Sequence, residues 1–232
     1  MTKISALIAV ALTACGVSDS TDLASDDLSG PTVTLATANE SFTTQWGPTA
    51  FNSAGAPYGY DDCGPTSLLM TAAYLGYLAR PNPSDAEAGI NYARYLTRGD
   101  VSTESGATYL PMMVTGFTAL DASASELDTT IAAVDAALEN GAVVPIAGDP
   151  KNAWGLELDG KGEYLHHYTS AADDTFGHWV VIFGRATDGE RYVVGDPLST
   201  IGTIKVTATE VRRYWADYLT LDDGAAAAIV VK

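Results

Sequence analysis

The chain has 232 residues, 47% of them hydrophobic, with 12 lysines and arginines against 29 aspartates and glutamates, for a formal charge of −17. So acidic a surface repels nucleic acid and anionic lipid headgroups and favours solubility, so nucleic acid is not expected as a partner. The composition is compatible with one sizeable hydrophobic core, and the sequence shows neither an internal repeat nor a linker to a second domain.

The first residues read as an export signal. Lys3 supplies a positive start, and residues 4–12 form an apolar run far too short to cross a bilayer as a permanent helix. It ends in Leu12-Thr13-Ala14-Cys15, which resembles the lipobox of bacterial lipoproteins, where cleavage precedes a cysteine whose thiol then carries diacylglycerol. The plainer alternative is an ordinary signal peptide cut nearby. Residues 16–40 are rich in Ser, Thr, Asp and Ala and hold no aromatic side chain, so they are expected to form a flexible tether. Such a tether would span roughly 25–30 Å from end to end. The expected organisation is a signal peptide over 1–14, a lipidated Cys15 and tether over 15–40, and one globular domain over 41–232. The expected address is the bacterial cell envelope, with the lipid anchor on a membrane.

Within the globular part, residues 63–78 have helical periodicity, with Pro65 tolerated in the first turn and Leu68, Ala72 and Leu75 on one face. A second helix starts at the capping box Ser84-Asp85-Ala86-Glu87 and turns Ile90, Ala93 and Leu96 inward. A third is expected over about 109–119. A fourth, over about 128–140, carries Ile131, Val134 and Leu138 on one stripe and has Gly141 just beyond it. The pattern then changes to strands: 142–147, 178–183, 191–194 (returning after Asp188-Gly189), 202–206 and 227–231. Thr207 and Glu210 are spaced to cap a short helix before the last strand. Helices first and an antiparallel sheet afterwards make an α+β fold.

The chemistry centres on Cys63. If Cys15 carries lipid, Cys63 is the remaining thiol and has no disulfide partner within the chain. It stands where a helix begins, and a helix N-terminus favours a thiolate. Asp61 and Asp62 act in the opposite direction if their charges lie close, so a cationic neighbour is needed. The alternative for Cys63 is a small buried hydrophobe. His166 and His167 lie in a polar stretch and read as loop residues. His178 opens a strong strand, and hairpin pairing around Asp188-Gly189 brings Asp196 opposite it to within a few residues. A carboxylate there can fix the imidazole tautomer and stabilise its charged form. A satisfied core histidine, and a carboxylate capping the turn before Pro197, are the alternatives for the pair. Gln45 carries an amide that can join the Cys63 backbone N–H in holding an oxyanion, although a glutamine ahead of Trp46 is by default a surface residue.

Taken together, Gln45-Trp46, the run Asp62-Cys63-Gly64-Pro65-Thr66-Ser67-Leu68-Leu69-Met70, then Gly177-His178-Trp179-Val180-Val181 and Val194-Gly195-Asp196-Pro197 resemble the papain-fold cysteine peptidases of the bacteriocin-processing (double-glycine leader peptidase-like) family. The resemblance spans residues 41–206 in that family's order Gln, Cys, His, Asp. It implies a papain-like fold, a Cys63–His178–Asp196 triad, Gln45 in the oxyanion hole and a peptide or protein substrate, with no cofactor. The chain departs from the export-linked members, which carry a transporter on the same polypeptide. It also has an enlarged stretch over 149–176, containing Trp154, His166 and His167, ahead of the catalytic strand. Leader specificity therefore does not carry over. The sequence leaves open a cell-wall amidase or acyltransferase using the same triad, and a non-catalytic binding lipoprotein. It does not specify oligomeric state. No Gly-rich phosphate loop, metal-spaced Cys/His cluster or calcium loop is present in the sequence, Asp159-Gly-Lys-Gly162 lacking the necessary ligand repeat.

Overall fold

Strands whose residues are apolar on both faces need cover on both sides, and this one receives it. In the computed structural model, which describes residues 31–45, 62–81, 86–99, 107–149, 177–199, 201–218 and 226–232, a largely antiparallel sheet lies between two layers of helices. The lipobox and Cys15, Trp46, Asp61, the Ser84-Asp85 half of the predicted capping box, and residues 150–176 with Trp154, His166 and His167 lie outside the described residues. The elements in chain order are β1 (Thr32–Val33), α1 (Leu35–Asn39), α2 (Cys63–Leu75), α3 (Ala86–Arg98), α4 (Leu110–Thr118), β2 (Ala124–Leu127), α5 (Ile131–Glu139), β3 (Val144–Gly148), β4 (His178–Ala186), β5 (Arg191–Gly195), β6 (Ile204–Thr207), α6 (Ala208–Tyr218) and β7 (Ala227–Val231).

The sheet runs β2-β7-β3-β4-β5-β6, and β1 pairs in parallel with the end of β4. All nine residues of β4 are buried. One face of the sheet presents Val144, Ile146, Val180, Ile182, Tyr192 and Val194 to Val134 and Leu138 of α5 and to Val211, Tyr214 and Trp215 of α6. On the other face, Trp179, Ile229 and Val231 meet Leu68 and Leu69 of α2, Ile90 and Ala93 of α3, and Met113 and Phe117 of α4. Helix α2 is buried from Cys63 to Ala73, which makes it the central helix of the domain. It ends at Leu75, three residues before the sequence expectation, because Gly76 adopts a left-handed conformation (φ 85°) and closes the helix.

The helix starts follow their local chemistry. Thr130 accepts from the Ala133 N–H to open α5. Thr207 and Glu210 form a reciprocal capping box for α6, the Thr207 N–H donating to Glu210 and the Glu210 N–H to Thr207. The short helix expected there runs for 11 residues. The polar strand β2 was not anticipated; its Ser125 and Glu126 pair with Val230 and Ile229 at the edge of the sheet.

The tether expectation needs correction over residues 31–40. Thr32 and Val33 pair with Arg185 and Ala186, and Val33 and Ala38 are buried. Thr34 caps α1 by accepting from the Thr37 N–H. Val33 fills the space that the missing side chain of Gly184 leaves in β4, next to a bulge where the β4–β5 register shifts. The segment lacks aromatic residues, but Val33 seated on a glycine notch, buried Ala38 and the Thr203 bonds to Asn39 and Leu35 anchor it.

Close approach also fixes α6. Gly148 in β3 lies against the ring and carbonyl of Tyr214, where a Cβ would overlap both. Gly148→Ala is expected to force α6 away from the sheet and lower stability by about 1–3 kcal/mol, read from urea unfolding against wild type.

Candidate active site

Cys63 is the first residue of α2, with Asp62 as its N-cap. His178 is the first residue of β4, and Asp196 follows β5. Two contacts fix the helix against the strand: the Ser67 hydroxyl donates to the Trp179 carbonyl at 3.1 Å, and the Trp179 indole donates to the Thr108 carbonyl at 2.6 Å. Thr108 packs directly on Gly64, so a side chain at position 64 would collide with it. The residues flanking the thiol and the imidazole are thereby held on one common support.

The β4–β5 register places Gly195 opposite Val181, so Asp196 arrives near the start of β4. There His178 Nε2 lies 2.7 Å from Asp196 Oδ1, with both side chains buried. The same carboxylate oxygen accepts the Leu198 N–H at 2.8 Å, and the Ser199 N–H donates to the Asp196 carbonyl. Asp196 therefore both shapes the turn and holds the histidine, which reconciles the two roles its position suggests. Cys63 lies close enough to the His178 ring to help hold it in its charged form. Cys63 is buried in the apolar cluster that includes Leu68, Leu69 and Trp179.

Burial on its own would push the imidazole towards its neutral form. The charge and hydrogen bond of Asp196, followed by the hydrogen bond and charge of Cys63, outweigh it and raise the His178 pKa from its usual 6.5 to about 10. The ring is thus held protonated at neutral pH, between a carboxylate and a sulfur.

Gln45 is buried, and its backbone N–H donates to the Pro197 carbonyl at 2.8 Å, an oxygen that also accepts the Thr44 hydroxyl at 2.8 Å. The segment carrying Gln45 is therefore fastened to the turn that carries Asp196. Beneath the site, the Tyr214 hydroxyl donates to the His178 carbonyl, and the Tyr214 carbonyl accepts the Asp149 N–H at 2.8 Å.

Asp62 is itself paired with a cation that the sequence reading did not single out, Arg94 from α3. Its Nε donates to Asp62 Oδ1 at 2.7 Å and its Nη2 to Oδ2, with both side chains buried. Sequence reasoning missed Arg94, although a signal was present. It falls on the inward stripe of α3 with Ala86 and Ile90, where a charged residue is out of place unless paired. Thr108 and Tyr214 carried no comparable signal. Among the described residues, no cluster of His, Cys, Asp and Glu suits a metal ion, and no helix is long and apolar enough to cross a membrane.

The central helix and the antiparallel sheet make the α+β fold of a papain-like cysteine peptidase. The chain belongs to the Peptidase_C39 like family, whose model matches residues 41–223. Among solved structures, it is similar to the peptidase domain of Streptococcus ComA, a bi-functional ABC transporter involved in a quorum-sensing pathway. The two share 17% identity, with a TM-score of 0.44 over 74% of this chain and 91% of that one. No curated protein matches the sequence.

The raised His178 value has a consequence for stability. The folded state binds its ring proton more tightly than the unfolded state, so this contribution is fully present below pH 6.5 and is lost as pH rises towards about 10. Urea unfolding across that range should show wild type losing stability relative to His178→Gln as pH rises. Asp196→Asn should flatten that slope, since it removes the main cause of the shift.

Proposed function

We propose that this protein is a cysteine peptidase that cleaves peptide bonds through Cys63, His178 and Asp196, with Gln45 at the oxyanion. The observation that carries the reading is the buried pair of His178 and Asp196, with Nε2 2.7 Å from Oδ1, and Cys63 close enough to the imidazole to raise its pKa. The reacting form is the pair in which His178 holds the proton and Cys63 is the thiolate. Sulfur attacks the substrate carbonyl, and the carbonyl oxygen gains negative charge. The Cys63 backbone N–H and the Gln45 side-chain amide stabilise that charge. As the C–N bond breaks, His178 gives its proton to the departing amine and leaves a thioester. His178 then takes a proton from water, hydroxide adds to the thioester, and the carboxylic acid product leaves as the sulfur recovers its electron pair. Asp196 holds the ring in register throughout and remains ionised.

The sequence before residue 31 supports a second element of the proposal: that Cys15 carries lipid and anchors the peptidase to a bacterial membrane. A peptidase so placed acts on peptides or proteins of the cell envelope. The same three residues would also serve a cell-wall amidase or an acyltransferase, and a peptide-library digest separates these chemistries.

Wild type should cleave members of such a library and label with an activity-directed thiol electrophile at neutral pH; Cys63→Ala should do neither. His178→Ala should lose labelling at mildly acidic pH. Asp196→Asn should lower turnover more than labelling. Gln45→Ala should label almost normally yet cleave about 10²–10³-fold more slowly. Wild-type labelling with the pH profile of an ordinary thiol, unchanged in His178→Ala, would overturn the catalytic reading.

The anchor is tested separately. Native protein should incorporate a fatty-acid precursor and sediment with membranes, and Cys15→Ser should abolish both while the globular domain stays folded. Incorporation that survives Cys15→Ser would refute the lipid assignment.

A further inference from the structure

Asp62 occupies the N-cap of α2, the position from which an aspartate ordinarily folds back to accept the N–H groups of its own helix. Here it makes no such side-chain bond. Its carboxylate is instead held by the Nε and Nη2 donors of Arg94. Arg94 is itself tied to its own helix, where Nη1 donates to Asn91 and to Glu87. The third residue of α2 is Pro65, which has no N–H, so the donors at the start of the helix are those of Cys63 and Gly64. These are the groups that a thiolate and a developing oxyanion would use.

We propose that Arg94 is a positioning residue for Cys63: by gripping Asp62 it keeps that carboxylate off the helix N-terminus and cancels its charge, leaving the first-turn N–H groups to the sulfur. The inference rests on Cys63 being the nucleophile. Without Arg94, a buried anion one residue from the sulfur would oppose the thiolate and compete for the same donors. The charged and titratable groups about Cys63 include His178 from β4 with Asp196 behind it, Asp62 at the head of its own helix, Arg94 with Glu87 from α3, Arg98 of α3, which reaches Thr108 beside Gly64, and buried Asp149 after β3. Burial opposes the charge on Arg94, but its bonds and charge contacts with Asp62 and Glu87 exceed that and hold it cationic.

The test is the pH profile of iodoacetamide alkylation at Cys63, followed by peptide mapping in the full chain so that Cys15 is counted separately. Arg94→Met should move the half-maximal rate to higher pH by about one unit, an approximately tenfold loss of rate at mildly acidic pH. Asp62→Ala should move it the other way, because the guanidinium then lacks its carboxylate counter-charge. The double variant Asp62→Ala/Arg94→Met should return to the wild-type profile. A purely structural contact would not produce shifts of opposite sign that cancel. If Arg94→Met does not fold, the downward shift in Asp62→Ala and the wild-type profile of the double variant still decide the matter. The proposal is overturned if Asp62→Ala leaves the profile unchanged or raises it, or if the double variant remains displaced. A wild-type profile that is already that of an ordinary thiol would remove the nucleophile assignment, and this inference with it. A low-pH wild-type profile that Arg94→Met leaves unchanged would remove this inference alone.

Discussion

The hydrogen bond between His178 and Asp196 is the interaction on which the rest of the site depends. A protonated imidazole buried at the start of a central strand is tolerable only beside a carboxylate that is equally fixed, because breaking a buried ion pair costs about 3–5 kcal/mol. Asp196 is fixed by its own turn, through the Leu198 and Ser199 N–H groups. His178 is fixed through its backbone, by pairing with Gly148 and by the Tyr214 hydroxyl. The β4–β5 hairpin then becomes a device for setting one distance, and the central helix has only to bring a thiol near the ring.

A second buried ion pair, Asp62 with Arg94, stands one residue before the thiol. The carboxylates of Asp62 and Asp196 are thus each matched by a cation, in a protein whose overall charge is −17. The net field of such a chain disfavours a thiolate, and the local arrangement offsets it at short range, where interactions in a poorly solvated interior are strongest. Helices α2 and α3 are joined at this pair, and β4 and β5 are joined at the other, so the site lies where the helical layer and the sheet are each tied by a charge contact.

Much of this was legible in the sequence because it is local. The periodicity of residues 131–139, the capping residues of α6 and the apolar runs of β3, β4 and β5 all depend on neighbours within one or two turns or a single hairpin. The hairpin also made the proximity of His178 and Asp196 readable, since its turn fixes the register. What escaped was non-local. The pairing of Val33 with β4 depends on the gap at Gly184, some 150 residues away along the chain. The role of Arg94 depends on which helix faces the start of α2. Polar β2 reads as a loop until β7 is beside it, and Tyr214 reads as one more apolar position until its hydroxyl meets the carbonyl of His178.

The central claim is that His178 holds a proton between Asp196 and Cys63 at neutral pH. Nitrogen chemical shifts of the labelled imidazole ring, assigned by comparison with a His178→Gln variant, measure this directly. The account predicts that both ring nitrogens of His178 are protonated at pH 7 and stay so well above 6.5, with the proton lost as pH approaches about 10. A neutral ring at pH 7, titrating near the ordinary histidine value, would contradict it.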